Sequence, residues 1–297
     1  MQLVSQSYSI NARSWLDTNS TATVFSSFDK SFNLIDDLGR IFSVVNGDTG
    51  NGPFSSVVRD LPTSLDLIVS QGDKVFVGKT SLLVNSMTID FQSTVLWCAR
   101  PDWESFNEHL TLIFQNWDFM IEFVSTKCWN DCLLTMMFSS SDYDDIVGNN
   151  ILKSSKLIFD GISINDSDQV DEGVAGIAGL GVGLTPSGDD FLVGFLHALW
   201  ILCEISCARK WSRYIVDIAA PRTNRLSASW LKEASQGNTS ENWHKLFYAL
   251  KHRNKKGISD ACNQIVSIGN TSGADALAGF LLTIKTLGIT NKYKGVI

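Results

Sequence analysis

The chain has 297 residues, of which 44% are hydrophobic and 19% charged, which is enough to bury one large core or two ordinary ones and too apolar for a disordered chain. A net charge of −7 without any basic run argues against a surface built to neutralise nucleic-acid phosphates. The six cysteines are Cys98, Cys128, Cys132, Cys203, Cys207 and Cys262; two pairs lie four residues apart, which is not the Cys-x-x-Cys of zinc or redox sites, so they read as helical-core thiols in a reducing cytoplasm.

The first residues, "MQLVSQSYSINARSW", lack the basic start, apolar stretch and small-residue cleavage site of a signal peptide. The segments "TATVFSSF", "RIFSVVN", "FSSVVRD", "LDLIVS" and "DKVFVGKTSLLV" are short, rich in Val, Ile, Phe, Thr and Ser, and separated by "DDLG", "NGDTGNGP" and "SQGD", which predicts a small sheet or barrel. The dense turn Gly47 to Pro53 reads either as a hairpin loop or as a loop brought close to a ligand or to the rest of the molecule.

After Pro101 the period becomes helical. "DWESFNEHLTLIFQNW" begins at Asp102, a suitable N-cap, and helices are predicted at Asp189–Cys207, Asn224–Ser235, Glu241–Lys251, Ile258–Ile268 and Ala274–Leu287. The acidic stretch Asp160 to Gly173 reads as a surface loop, and the apolar run Phe191 to Cys203 as a core helix too short to span a bilayer. The expected fold class is α+β: a small β-rich domain over residues 1–100 packed on a mainly α-helical domain over residues 101–297.

The helical half contains an echo. "SGDDFLVGF" (Ser187 to Phe195) and "SGADALAGF" (Ser272 to Phe280) share the pattern S-G-x-D-x-L-x-G-F. One reading is structural: Ser187 with Asp190, and Ser272 with Asp275, are capping boxes, while Gly194 and Gly279 let two helices cross closely. The two helix starts should then converge. That reading leaves over Gly181, Gly183, Gly188, Gly273, Asp189 and His197. The other reading is a glycine-lined anion site at the helix starts, or a pair of carboxylates, Asp189 and Asp190, holding Mg2+ beside a phosphate. His197 lies seven residues after Asp190 on the same face and is either part of this site or a satisfied core histidine.

A third element, "PRTNRLSASWLKEASQG" (Pro221 to Gly237), offers Thr223 as a helix cap and places Arg222 and Arg225 where a helix dipole disfavours them, consistent with anion binding or with a solvated surface pair. The candidate reacting carboxylates are therefore Asp189, Asp190 and Asp275, with Thr185, Ser187, Gly188, Thr271, Ser272, Gly273, Arg222, Thr223, Arg225 and His197 around the substrate. Unit charges ~4 Å apart repel by roughly 4 kcal/mol at an effective dielectric of 20, so three clustered carboxylates call for Mg2+ or an arginine. Walker A, G-x-G-x-x-G, nucleophile-elbow and H-E-x-x-H patterns are missing.

The segment "GLGVGLTPSGDDFLVGFLHAL", together with "PRTNRLSASWLKEASQG", "GNTSGADALAGF" and more loosely "GNGPFSSVV", resembles the AllH family, typified by a subunit of oxamate carbamoyltransferase. The resemblance runs from about Gly39 onward, with Asn224 standing where the family's R-T-T segment has its second threonine. It implies a cytoplasmic subunit acting with two others, one acyl-CoA-synthetase-like and one a second large subunit. Such assemblies interconvert oxalurate plus phosphate with oxamate plus carbamoyl phosphate in purine or allantoin breakdown. The small anions of that reaction suit glycine-lined helix starts. The alternative is a non-catalytic scaffold or metabolite-sensing subunit of such a complex.

Overall fold

The computed structural model describes residues 1–127, 132–138 and 145–289, and the chain divides into two units. The first comprises Met1–Arg100 with Thr239–Glu241, the second Pro101–Asn238 with Asn242–Ile297. Cys128 lies outside the described residues; Cys98 is exposed, Cys207 half-buried, and Cys132, Cys203 and Cys262 are buried free thiols.

In the first unit, β1 (Gln2–Ser9), β2 (Thr21–Phe28), β3 (Ser31–Ile35), β4 (Ile41–Asn46), β5 (Ser55–Val58), β6 (Lys74–Val77), β7 (Ser81–Val84) and β8 (Met87–Asp90) run in the order β5-β4-β3-β2-β6-β7-β8-β1. β1 pairs back onto β5, antiparallel, and so closes the eight strands into a barrel that leaves no open edge among them. A ninth strand, β9 (Val95–Trp97), runs parallel to the second half of β1. Alternation does the sorting: Ala22, Val24 and Ser26 of β2 point inward, and Phe32, Phe42, Val44, Leu82, Met87 and Ile89 fill the interior. The barrel also encloses polar groups in pairs, with Ser5 Oγ 2.8 Å from Ser56 Oγ and Asn33 Nδ2 donating to Ser26 Oγ at 2.9 Å.

Three local expectations change here. A helix absent from the sequence reading, α1 (Ile10–Thr18), follows β1 directly. Ser9 Oγ accepts from Ala12 N to cap it, and Trp15 stacks on Phe42 with ring centroids 5.0 Å apart. The "LDLIVS" segment is a single 3-10 turn at Leu65–Leu67 instead of a strand, because Ser64 before it adopts a left-handed φ of 61° that breaks an extended chain. The Gly47 to Pro53 stretch is no hairpin loop, since β4 and β5 pair in parallel and the connection must travel back along the strands. There Asn51 receives Glu241: Asn51 N and Nδ2 donate to Glu241 Oε2 at 3.0 and 2.8 Å, and Glu241 N donates to Asn51 O at 2.8 Å.

The second unit contains α2 (Trp103–Glu108), α3 (Leu110–Gln115), α4 (Trp117–Ser125), α5 (Leu133–Phe138), α6 (Ile146–Ile164), α7 (Ser167–Ile177), α8 (Ser187–Leu202), α9 (Ile205–Ala219), α10 (Arg225–Ser235), α11 (Glu241–Lys251), α12 (Lys255–Val266) and α13 (Ser272–Thr283). Asp102 caps α2 as expected, but the following helical period breaks at His109 and Asn116 into three short helices. The acidic stretch expected as a loop is the end of α6 and most of α7. Asn165 turns the chain at φ 56°, Asp166 caps α7, and Ile162, Val170 and Val174 carry the buried stripe that its polar composition hides. The long helix expected to reach Cys207 stops at Leu202, because Cys203 is extended and Asn107 Nδ2 donates to the end carbonyl of Ile201 at 2.6 Å. Among the described residues no helix is long and apolar enough to cross a membrane. α8 is buried from Gly188 to Ile201, and α13 from Gly273 to Leu281, so these two helices form the centre of the unit.

Candidate functional site

The repeated pattern marks a reciprocal helix crossing. A Cβ placed on Gly194 of α8 would lie 1.7 Å from Ala276 O of α13, and one on Gly279 of α13 would lie 2.0 Å from Phe191 O of α8. Gly194 matches Gly279, and Phe191 matches Ala276, in the two copies of the pattern. The helices therefore meet backbone to backbone about a local two-fold relation. Gly188 and Gly273 extend it: a Cβ on either would meet the backbone of the preceding helix, at Ile177 O (2.1 Å) for α7 and at Ile265 O (1.7 Å) for α12. The helix starts converge as the repeat implies, with Thr185 Oγ1 2.7 Å from Ser272 Oγ.

The capping boxes do not form. Pro186 holds the N-cap position of α8 and Thr271 that of α13, neither with a side-chain cap, and Ser187 and Ser272 are the first helical residues. Their hydroxyls work across the crossing instead: Ser272 and Thr185 support the Asp190 carboxylate, while Ser187 and Thr271 support that of Asp275. The reason is the close approach that the glycines allow, which brings each serine nearer to the other helix's aspartate than local capping would use. Nor are the glycine amides open to an anion, because Gly188 N donates to Leu180 O at 2.9 Å and Gly273 N to Ile268 O at 3.1 Å.

The result is a two-tiered arrangement. Thr185, Ser187, Thr271 and Ser272 are half-exposed, and beneath them lie Asp190 and Asp275, 8% and 0% exposed. Asp190 Oδ2 and Asp275 Oδ2 are buried with no hydrogen-bond partner of good geometry. Burial pushes the Asp190 carboxyl well above the usual range; a hydrogen bond from Ser272 pulls it back, the neighbouring charges of Asp275 and Asp189 add to the rise, and Thr185 opposes it least. Asp275 is also raised, chiefly by burial, but its Oδ1 accepts from Leu133 N at 2.8 Å, a bond that favours its charged form. Among the described residues Asp190 accepts from no such backbone donor, so the pair is unequal.

Asp189 belongs to a different network. Its Oδ1 accepts from Gly179 N at 2.8 Å and its Oδ2 from Thr223 Oγ1, and its burial raises it against those two bonds and a third from Ser227. Thr223 is thus not the cap of α10. Asn224 is, accepting from Leu226 N and Ser227 N at 3.0 and 3.1 Å. Asp189 ties the glycine loop before α8 to the turn before α10.

These contacts bear on Mg2+. Both Asp189 oxygens are engaged, by Gly179 N and Thr223 Oγ1, and among the described residues no three His, Cys, Asp or Glu side chains are placed together to hold a metal. The arginines do not replace it. Arg222 and Arg225 are exposed, and Arg222 Nη1 donates back to Ile218 O at 2.6 Å. Burial raises all three carboxyls above their usual range, which disfavours the charged forms that would repel one another. His197 stands two turns along α8 from Asp190, tilted against Trp243 with ring centroids 4.9 Å apart and edge-on to Phe247, and among the described residues neither ring nitrogen has a hydrogen-bond partner of good geometry. Burial lowers its pKa to about 3, which keeps it a neutral core residue outside the carboxyl pair.

Two residues that sequence reasoning missed adjoin the pair: Leu133, through its amide, and Asp145, whose charge raises Asp275. Asp145 caps α6, a signal that a search for caps would have found, whereas a donating main-chain N–H carries no side-chain signature.

A family model described as oxamate carbamoyltransferase subunit AllH matches residues 177–284, and one described as the AllH family N-terminal domain matches residues 5–96. The first match takes in α8 and α13 with their crossing, and the second takes in most of the barrel. No solved structure matches the chain.

Proposed function

Because the chain belongs to the AllH family, we propose that it is a reacting subunit of an oxamate carbamoyltransferase-type complex, with its substrate site at the crossing of α8 and α13. One observation supports this reading above the others: two buried carboxyl oxygens, Asp190 Oδ2 and Asp275 Oδ2, lie unpartnered beneath a layer of hydroxyls at two converging helix starts. An unpartnered buried polar atom costs about 1–3 kcal/mol and is uncommon without a task.

In the reaction, a phosphate oxygen attacks the ureido carbonyl carbon of oxalurate, and the bond from that carbon to the oxamate nitrogen breaks. The departing nitrogen takes the electron pair and needs a proton. Asp190, whose carboxyl burial pushes well above the usual range, supplies it and is reprotonated by the proton that hydrogen phosphate gives up as its oxygen bonds to the carbonyl carbon, and Asp275, which the Leu133 amide favours in its charged form, orients the nitrogen's hydrogens. In the reverse direction the Asp190 carboxylate takes the proton back. The hydroxyls of Thr185, Ser187, Thr271 and Ser272 donate to substrate oxygens. Asp189 and Thr223 hold the glycine loop against the α8 start and position without reacting.

The test is reconstitution with the two partner subunits and an assay of carbamoyl phosphate formed from oxalurate and phosphate. Asp190→Asn should lower kcat by about 10²-fold or more, the usual contribution of a general acid, while the complex still assembles. Full activity in both Asp190→Asn and Asp275→Asn would instead support a scaffolding or metabolite-sensing subunit.

A further inference from the structure

The proposed reaction leaves a cavity of the helical unit unused. It lies between the start of α2 and one face of α11, has a volume of about 440 Å3, and its lining includes Phe106, His244, Lys245, Tyr248, Lys251 and His252. No residue of the α8–α13 crossing lines it. Ligand pockets for small organic molecules span roughly 300–1,000 Å3, so the cavity is of that class. Helical spacing builds its wall. His244, Tyr248 and Lys251 follow one another at i, i+4 and i+7, and Lys245, Tyr248 and His252 at i, i+3 and i+7. His252, one residue past α11, keeps the turn by donating its N to Tyr248 O at 3.0 Å. The whole chain has a net charge of −7, yet after Glu241 the wall carries these four basic side chains and no acidic one. Asp102, the acidic residue of the lining, is the cap of α2 and accepts from Ser105 N at 3.2 Å.

The cavity also pairs basic groups with rings. Lys251 Nζ stands 5.7 Å from the centroid of the buried Phe106 ring and donates to Ser105 Oγ. Both partners are neutral, so among the described residues the Lys251 charge is not compensated, and its remaining N–H bonds are available to a ligand. The His252 ring centroid lies 4.1 Å from that of Tyr248, which is 61% exposed. We propose that this cavity binds a nucleotide, with its phosphate on Lys251 and His252 and its base against Phe106 and Tyr248. A phosphate takes short, charge-assisted bonds from such donors. Any base offers a flat face that stacks on an aromatic ring. An anion bound at Lys251 brings the group it carries over Phe106, which is the arrangement a base joined to a phosphate can fill. Inorganic phosphate or an acidic peptide would leave both rings unused.

The experiment is a calorimetric titration of the full-length chain with AMP, GMP, CMP and UMP, with the four nucleosides, inorganic phosphate and a polyglutamate peptide run alongside. The proposal expects at least one nucleotide to bind, and its nucleoside and inorganic phosphate each to bind about tenfold more weakly or less. Tyr248→Ala should weaken the nucleotide about tenfold, within the range of a lost base–aromatic stack, whereas Tyr248→Phe keeps the ring and the affinity. Lys251→Gln should weaken it by a similar factor of about ten through loss of the charge-assisted bond, and Lys251→Arg should restore most of it. The proposal is overturned if no nucleotide binds at millimolar concentration, if Tyr248→Ala or Lys251→Gln binds as the parent does, or if phosphate or polyglutamate binds as tightly as any nucleotide.

Discussion

Asp190 and Asp275 occupy the same position in two copies of one helix start, and among the described residues only Asp275 receives a backbone N–H, from Leu133. The backbones around them are nearly interchangeable, since each helix carries a glycine against the other's carbonyl and each start packs a glycine against the helix before it. The approaches differ. α8 is reached through the nine residues 178–186, in which Gly179, Gly181 and Gly183 all have positive φ, whereas α13 follows α12 after five. The comparison teaches that the repeated residues build the crossing, and that the unrepeated surroundings divide the labour between two carboxyls.

The largest expected effect attacks what the two halves share. Gly194→Ala and Gly279→Ala each drive a methyl into a backbone carbonyl that cannot move alone, and each should destabilise the protein by about 3 kcal/mol or more, at the upper end of overpacking costs. Thermal unfolding would show it, and melting within a degree or two of the parent for either variant would mean that the crossing is not tight. Next comes activity: Asp275→Asn should cost less kcat than Asp190→Asn in the reconstituted complex, because an amide still accepts from Leu133 N but cannot serve as an acid. Equal losses would remove the division of roles.

The next effect concerns stability and pH. Asp190 has its folded pKa raised above the unfolded value of about 3.9, so its contribution is fully present below that value and is lost as pH rises through the folded pKa. Asp190→Asn removes this loss, and its melting temperature relative to the parent should climb as pH rises above about 4, further than for Asp275→Asn. A difference independent of pH would show that Asp190 ionises normally. His197 works in the opposite direction. Its folded pKa is lowered to about 3 from an unfolded value of about 6.5, so stability is lost as pH falls from about 6.5 toward about 3. His197→Phe, which keeps an aromatic ring against Trp243 and Phe247, should flatten that acid side, and unchanged acid sensitivity would place the titrating group elsewhere. The smallest effect falls in the unshared loop. Gly183 has φ +92°, but a methyl added there would meet no atom within 4 Å, so Gly183→Ala should cost only about 1–2 kcal/mol of backbone strain, measurably less than either crossing glycine.

Much of this was legible in the chain. Short β-type runs predicted the barrel region, and the spacing of Gly194 and Gly279 predicted the crossing, because close approach needs a missing side chain wherever it occurs. What stayed illegible depended on partners distant in sequence. Ser187 and Asp190 have the spacing of a capping box, and only the neighbouring helix decides that the hydroxyl supports Asp275 instead. α7 was hidden because its buried stripe is narrow and its acidic face dominates the composition. β1 reads as a polar "QLVSQSYS" because the barrel buries Ser5 and Ser9 beside partners that the local sequence does not contain.

The central claim is that burial raises the Asp190 carboxyl further than that of Asp275, which has the same sequence pattern but accepts from the Leu133 amide. The most direct measurement is a 13C NMR titration of the protein labelled at the aspartate side-chain carboxyl carbons, with Asp190→Asn and Asp275→Asn assigning the two signals. The account predicts an Asp190 signal that titrates well above the usual carboxylate range and an Asp275 signal that titrates at lower pH. Both signals moving together through the ordinary range near pH 4 would contradict it.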